Sequence, residues 1–403
     1  MDKLKKLEIL SGSAKFDIPG SPTSKRKVRR ADRLGSPSRS PICHATAPDG
    51  RNISLFRIML TNSCEMSCAY CPCSARRDEP KARLEADELA ELFLDFYKRN
   101  LVEGIFLTSA VNRSPGYSMD EMIKTVELLR KRHKYAGYIH CKIVPGADRA
   151  SIETLAQYVD RLSINIEAPN EAALKQIAPE KNYQQDLIER MRWVRDIIIR
   201  NNPSRRPGRG RPAGALTAGQ TTQFVVGAAG ESDREIVESA QQLTDELDLR
   251  RVHFGAFFPV AGTPLENRPA APSQRQHRLY QADWLLRFYG FSREELPYDE
   301  KGNLTLARDP KLEYALRRPE LFPVEINAAD IEELLRVPGI GPRSAFRIVN
   351  SRAYCKISSL RQLQELGAVA KRARPFILID GKRQGSLEDL NGPQQLSLFE
   401  TDE

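Results

Sequence analysis

Between residues 53 and 258, short β-branched and aromatic runs alternate with longer segments whose apolar positions recur every three or four residues. The wider period marks one face of a helix, and short apolar runs bounded by polar turns mark strands. Strands are expected at ISLFRIML (53–60), GIFLTSA (104–110), YIHCKIV (138–144), RLSINIE (161–167), TTQFVVG (221–227) and VHFGAFF (252–258). Helices are expected at 85–99, 120–134, from 151 onward, at 184–200 and at 233–247. Strands regularly separated by helices give a parallel sheet with right-handed crossovers. Six such units fit an open, partial version of the eight-stranded α/β barrel.

The flanks have other patterns. Residues 20–41 are rich in Ser, Pro, Lys and Arg and show no apolar period, so 1–45 reads as a basic N-terminal arm. The barrel is assigned to 46–290, interrupted by a Pro/Gly/Arg loop at 201–214. A connector at 291–322 leads to a helical domain at 323–383, and 384–403 reads as a polar tail. The expected fold class is therefore α/β, a partial (β/α)6 barrel with a C-terminal all-α domain.

Charge adds a partner class. A formal net charge of +9 favours phosphate-rich partners without specifying one. No apolar run approaches bilayer-spanning length and MDKLKKLEIL lacks a signal-peptide core, which implies a cytoplasmic protein with no membrane partner.

Four of the seven cysteines fall between Cys64 and Cys73, a clustering typical of metal binding. Cys64-Glu-Met-Ser-Cys68-Ala-Tyr70-Cys71 directly follows the first strand of the βα series. Three thiolates on one loop can hold three irons of a cubane cluster and leave the fourth open. Structural zinc is the competing reading. It usually wants paired knuckles and four ligands, and no second CxxC lies nearby, although Cys73 is available.

This cysteine spacing, with an aromatic residue just before the third cysteine, resembles the radical S-adenosylmethionine (SAM) superfamily. The resemblance implies a 4Fe–4S cluster on Cys64, Cys68 and Cys71, with SAM on the open iron. It also implies reductive cleavage of SAM to a 5′-deoxyadenosyl radical, and hydrogen abstraction from a substrate. An electron donor such as flavodoxin or ferredoxin follows as a partner. The superfamily's SAM contacts map onto Tyr70, Thr108-Ser109-Ala110 at the end of the second strand, and Ser163, Asn165 and Glu167 on the fourth. Thr108-Ser109-Ala110 departs from the family's Gly-Gly-Glu, so that contact falls to carbonyls and hydroxyls. Gly227, in a Gly-x-x-Gly turn, maps near the adenine.

Strand parity supplies lumen candidates. Alternate side chains face one side of a sheet. Arg57 with Thr61, then Tyr138, His140 and Lys142, then Ser163, Asn165 and Glu167 form polar faces opposite apolar ones. The catalytic residue stays unassigned, with His140, Lys142 and Arg57 as candidates. Cys141 falls on an apolar face and reads as an inert buried thiol.

Residues 331–352, IEELLRVPGIGPRSAFRIVNSR, resemble the helix-hairpin-helix motif of DNA repair and replication proteins. The turn contains Gly339 and Gly341, and Arg343 and Arg347 follow it. Such a turn brings backbone amides to a phosphate and positions the duplex without reading its sequence. A weaker copy spans 359–377, with Lys371 and Arg372 after its turn. The phrases SPGYSMDEM, YIHCKIVPGAD, SINIEAPNEAALKQIAPEK and FPVEIN extend the resemblance to bacterial radical SAM proteins described as acting in DNA modification or repair. That implies DNA as partner and a nucleoid-associated location. The rival functions are RNA modification and a non-catalytic iron–sulfur redox sensor on DNA. The tail's Gln395-Leu396-Ser397-Leu398-Phe399 resembles the motif by which bacterial polymerases and repair proteins dock on the sliding clamp.

Overall fold

The computed structural model describes residues 1–14, 41–46, 52–201 and 216–387. Two compact units emerge, Met1–Glu231 with Ser239–Pro272, and Ser232–Glu238 with the chain from Ser273 onward. The division precedes the helix at Ser273–Phe288, so that helix belongs to the second unit and not to the barrel expected over 46–290.

The first unit is built on a seven-stranded sheet in sequential order. Its strands are β1 (Ile42–Thr46), β2 (Asn52–Met59), β3 (Gly104–Thr108), β4 (Tyr138–Lys142), β5 (Arg161–Ser163), β6 (Gly219–Val226) and β7 (Arg251–Ala256). β2 to β7 are parallel, as the alternating pattern required, and β1 pairs antiparallel with β2. β1 begins inside the stretch read as an arm, and helix α1 (Lys3–Ala14) lies wholly within it. α1 buries Leu7, Leu10, Ser11 and Ala14, one stripe at helical spacing, so the arm reading does not hold there.

Crossovers are made by α2 (Ala86–Lys98), α3 (Pro115–Glu127), α4 (Arg149–Ala156), α5 (Glu171–Ile177), α6 (Glu189–Asn201) and α7 (Asp233–Leu247). Side-chain caps set their starts. Ser114, Asp148 and Asn170 each accept from the third following amide, and Glu85 forms a capping box with Glu88. The helix expected at 120–134 therefore begins at Pro115, which suits a first-turn position, and widens to π geometry at Leu128–Arg132. The apolar sheet face carries Phe56, Ile58, Ile105, Leu107, Ile139, Cys141 and Leu162, all fully buried. Phe56 packs there on Phe96 of α2, with ring centroids 4.9 Å apart.

The second unit holds α8 (Ser273–Phe288), α9 (Pro310–Arg317), α10 (Ile331–Arg336), α11 (Pro342–Arg352), α12 (Leu360–Glu365) and α13 (Ala370–Ala373). It adds a small sheet of β8 (Val324–Glu325), β9 (Ile377–Ile379) and β10 (Lys382–Arg383) to the expected helices. Its core is apolar, with Ile326, Leu334, Val337, Ile348, Leu363 and Phe376 buried together. Among the described residues no helix is long and apolar enough to cross a membrane.

Candidate cluster site and hairpin interface

The chain leaves β2 at Met59 and enters no helix until Ala86. Cross-chain hydrogen bonds fix the intervening loop. The Glu65 amide donates to the Val111 carbonyl at 2.8 Å, and the Ala69 amide to Ile177 at 2.7 Å. The Ser67 amide donates to the Glu180 carboxylate at 2.9 Å. So held, Cys64, Cys68 and Cys71 line one cavity at the C-terminal ends of the parallel strands, where open α/β sheets place their ligands.

The electrostatics of this cavity centre on a lysine. Burial pushes the Cys64 thiol up and the Cys68 thiol to about 12, with Lys181 opposing the shift at both. Lys181 Nζ lies 3.1 Å from Glu167 Oε1 and 3.5 Å from the Tyr70 hydroxyl, and both members of the ion pair are 6% exposed. Burial alone would raise the Glu167 carboxyl, but Lys181 and Lys142 outweigh it and hold it below its ordinary value. Burial likewise works against the Lys181 ammonium, and Cys68 and Glu167 reverse that and raise it.

Glu167 has a φ of +65°, a strained value for a residue with a side chain. Two backbone bonds to β6 clamp it there. Its amide donates to Gln223 at 2.9 Å, and the Val225 amide donates to its carbonyl at 2.8 Å. The donor set suits an iron–sulfur cluster: three cysteine sulfurs face one cavity, and Lys142 and Lys181 stand where they would offset the negative charge of ligating thiolates. Among the described residues no three His, Cys, Asp or Glu side chains are grouped as a single metal ion requires. A cubane makes no such demand, because each thiolate takes a different iron.

In the second unit α10 and α11 are joined by a tight turn. Gly339 has a φ of +86°, and a Cβ there would lie 2.6 Å from the Val369 carbonyl. Only glycine meets both conditions. Gly341 caps α11 in an ordinary extended conformation, so its lack of a side chain serves space and not backbone geometry. The weaker copy is real: α12, a turn with Gly367 at φ +92°, and α13. The Val369 amide donates to the Gly339 carbonyl at 2.8 Å, which couples the two turns. Arg343, Arg347 and Lys371 are exposed and pair with nothing among the described residues. Arg372 is different, because it is bound to the Asp309 carboxylate.

A model of the radical SAM superfamily matches residues 58–243, which span the cysteine loop and the strands around it. The first unit carries a radical SAM domain. A helix-hairpin-helix motif model matches residues 322–377, so a helix-hairpin-helix domain forms the C-terminal part. The superfamily's cofactors are a 4Fe–4S cluster and SAM. The chain is 24% identical over 238 residues to a tRNA-2-methylthio-N(6)-dimethylallyladenosine synthase of Herpetosiphon aurantiacus, covering 56% of this chain and 49% of that protein. It thus spans about half the length of the curated relative it matches. Among solved structures, methylornithine synthase aligns with 15% identity and a TM-score of 0.45, over 57% of this chain and 60% of that one. A radical SAM methyltransferase from Sphaerobacter thermophilus aligns with 15% identity and a TM-score of 0.38, over 60% and 75%.

Within the radical SAM domain, the cavity wall brings together Tyr70, Thr108, Ser109, Ala110, Asn165, Glu167 and Lys142 with the three cysteines. Ser163 and Gly227 are not part of it. The Ser163 hydroxyl lies 2.9 Å from His140 Nε2, and the Gly227 amide donates to the Glu231 carboxylate within its own turn. Of the lumen candidates, Lys142 lines the cavity, and His140 and Arg57 do not. These two share the polar sheet face but sit two residues before Lys142 and Met59, the same-face residues that line the cavity. Phe106 stacks on His140 with ring centroids 4.3 Å apart, and burial holds the imidazole well below its usual pKa, hence neutral. Arg57 is buried beside Cys43. Thr61 caps the strand end, donating to the Ala82 carbonyl at 2.9 Å.

Sequence reasoning missed Lys181. It follows α5 as a lone lysine in a polar turn, and no periodicity distinguishes it from a solvated one. Cys73 also lines the cavity, with its amide 3.4 Å from Cys71 Sγ. Gln395, Leu396, Leu398 and Phe399 lie outside the described residues.

Proposed function

We propose that the chain is a radical SAM enzyme acting on DNA. The observation that carries this reading is one chain joining a radical SAM domain to a helix-hairpin-helix domain whose Arg343, Arg347 and Lys371 are exposed and unpaired among the described residues. Cys64, Cys68 and Cys71 would hold the cluster. Tyr70, Thr108, Ser109, Ala110, Asn165 and Glu167 would surround SAM. When bound, these cofactors supply one-electron cleavage of SAM and hydrogen abstraction, and the protein supplies orientation and a dry cavity. The buried Glu167–Lys181 pair would fix Tyr70 within the cluster loop. A base within a duplex would have to be flipped out, or met single-stranded, to reach that cavity.

Arg343, Arg347 and Lys371 would hold phosphates, giving affinity with little sequence preference. A flavodoxin or ferredoxin would deliver the electron. The pentapeptide at 395–399 would tether the enzyme to the sliding clamp, with Leu398 and Phe399 filling an apolar pocket and the Gln395 amide fixing orientation. The tRNA-modifying enzyme that matches across 49% of its length supports a second reading, in which the nucleic acid is RNA.

One experiment separates these. Anaerobically reconstituted protein is incubated with SAM, dithionite and either duplex DNA, single-stranded DNA or tRNA. Mass spectrometry then follows 5′-deoxyadenosine and altered nucleosides. An altered deoxynucleoside is the expected result. An altered ribonucleoside would move the assignment to RNA, and no SAM cleavage under any condition would leave a redox-sensing DNA-binding protein.

A further inference from the structure

Lys311 stands in the first turn of α9, and its side chain is buried, with the residue 8% exposed. It lines a cavity in the second unit that is bounded by both hairpin turns, through Gly339, Gly341 and Gly367. Its ammonium donates to the Ile340 carbonyl at 2.5 Å and lies 4.6 Å from the centre of the Tyr289 ring. An ammonium has three donors, so one hydrogen bond and a ring face leave capacity for an acceptor.

The charged and titratable groups facing it are Asp309, Arg372, Arg336 and Tyr289. Asp309 is already engaged, accepting from the Leu312 amide at 3.0 Å and binding Arg372. Arg336 is bound to Glu295 at 2.8 Å. The wall therefore holds a buried cation without a carboxylate of its own, and a buried cation normally has one. Burial draws the ammonium down to about 7, against a smaller opposing effect of Asp309. At the mouth, a Cβ on Gly341 would meet only the Tyr289 hydroxyl, at 3.2 Å, so the backbone there is open to a ligand.

We propose that this cavity is a phosphate site for a nucleic-acid backbone, with Lys311 as its buried cation and Gly341 and Arg372 at its rim. The proposal rests on the nucleic-acid reading above and gives that reading a specific anchor. A phosphodiester oxygen can accept from the ammonium while the surface arginines hold neighbouring phosphates. Drawing an anion against Lys311 favours its charged form, so binding takes up a proton and weakens as pH rises from 6 to 8.5.

The test uses the full chain and a labelled 20-base-pair duplex, with anisotropy read at fixed salt between pH 6 and 8.5. Wild-type affinity should fall several-fold across that range. Lys311→Met should bind about tenfold more weakly at pH 6 and show no pH dependence. Lys311→Arg keeps the charge and should bind at every pH with the dependence removed, which guards against misfolding of the Met variant. Arg343→Ala with Arg347→Ala should weaken binding yet keep the pH dependence. A Lys311→Arg protein with the wild-type pH profile, or a folded Lys311→Met protein with wild-type affinity at pH 6, would overturn the cavity assignment alone. If wild-type protein binds neither the duplex nor a tRNA at low salt, the nucleic-acid reading falls first and the phosphate site with it.

Discussion

Cys141 is fully buried on the apolar face of β4, while Cys73 lines the same cavity as Cys64, Cys68 and Cys71. Alanine at Cys64, Cys68 or Cys71 should abolish reductive SAM cleavage, whereas Cys73→Ala and Cys141→Ala should largely spare it. Quantifying 5′-deoxyadenosine across the five variants checks this, and full cleavage by Cys68→Ala contradicts the ligand set. The Glu167–Lys181 pair has a different signature. Removing one partner of a buried ion pair leaves the other charge unpaired, a loss of about 3–5 kcal/mol. Lys181→Met should thus show a large drop in urea stability, and adding Glu167→Gln should restore part of it. Lys311 gives a pH effect on stability. The unfolded chain binds its proton below 10.5 and the folded chain only below about 7, so stability should rise with pH between those values. The slope is at most about 1.4 kcal/mol per pH unit, and Lys311→Met should remove it. Parity along β4 and β5 identified the polar face in the sequence, but not depth. Lys142 and Asn165 reach the cavity while His140 and Ser163 stop below it, because an alternating pattern carries no information on height along a strand.

Among the elements, the two hairpin glycines should behave differently. Gly339→Ala would combine a φ of +86° with a Cβ 2.6 Å from the Val369 carbonyl. A loss of about 1–3 kcal/mol in the stability of the second unit is expected, read by thermal denaturation. Gly341→Ala should cost little stability and mainly weaken duplex binding, since its backbone is ordinary and its space lies at the cavity mouth. The clamp peptide is another test at this scale. Residues 390–403 should bind purified sliding clamp with micromolar-range affinity, about −8 kcal/mol. Leu398→Ala with Phe399→Ala should remove that binding without changing SAM cleavage. The six parallel strands were legible because each is a compact β-branched run between helices. β1 was not, because ICHAT is short and sits beside a Lys/Arg-rich segment whose composition dominated the reading. α1 was hidden likewise, its stripe of Leu7, Leu10 and Ala14 being interrupted by lysines and small polar residues.

For the whole molecule, the sequence carried the division of labour between a sulfur-lined barrel and a basic hairpin unit. It did so through local motifs: three cysteines on one loop, and two glycines just before a basic helix. What it could not carry was the network that depends on distant pieces meeting. Lys181 reaches Glu167 and Tyr70 from separate loops, and Lys311 lies beneath a turn formed by residues 337–341. The central claim is that a radical SAM centre and a phosphate-binding hairpin act on one nucleic-acid substrate. The most direct test is 5′-deoxyadenosine formed by the reconstituted, reduced protein with and without duplex or single-stranded DNA, paired with mass spectrometry of the recovered nucleosides. The account predicts DNA-stimulated cleavage of SAM and an altered deoxynucleoside, both lost in Cys68→Ala. Cleavage indifferent to DNA, with every deoxynucleoside unchanged, would contradict it.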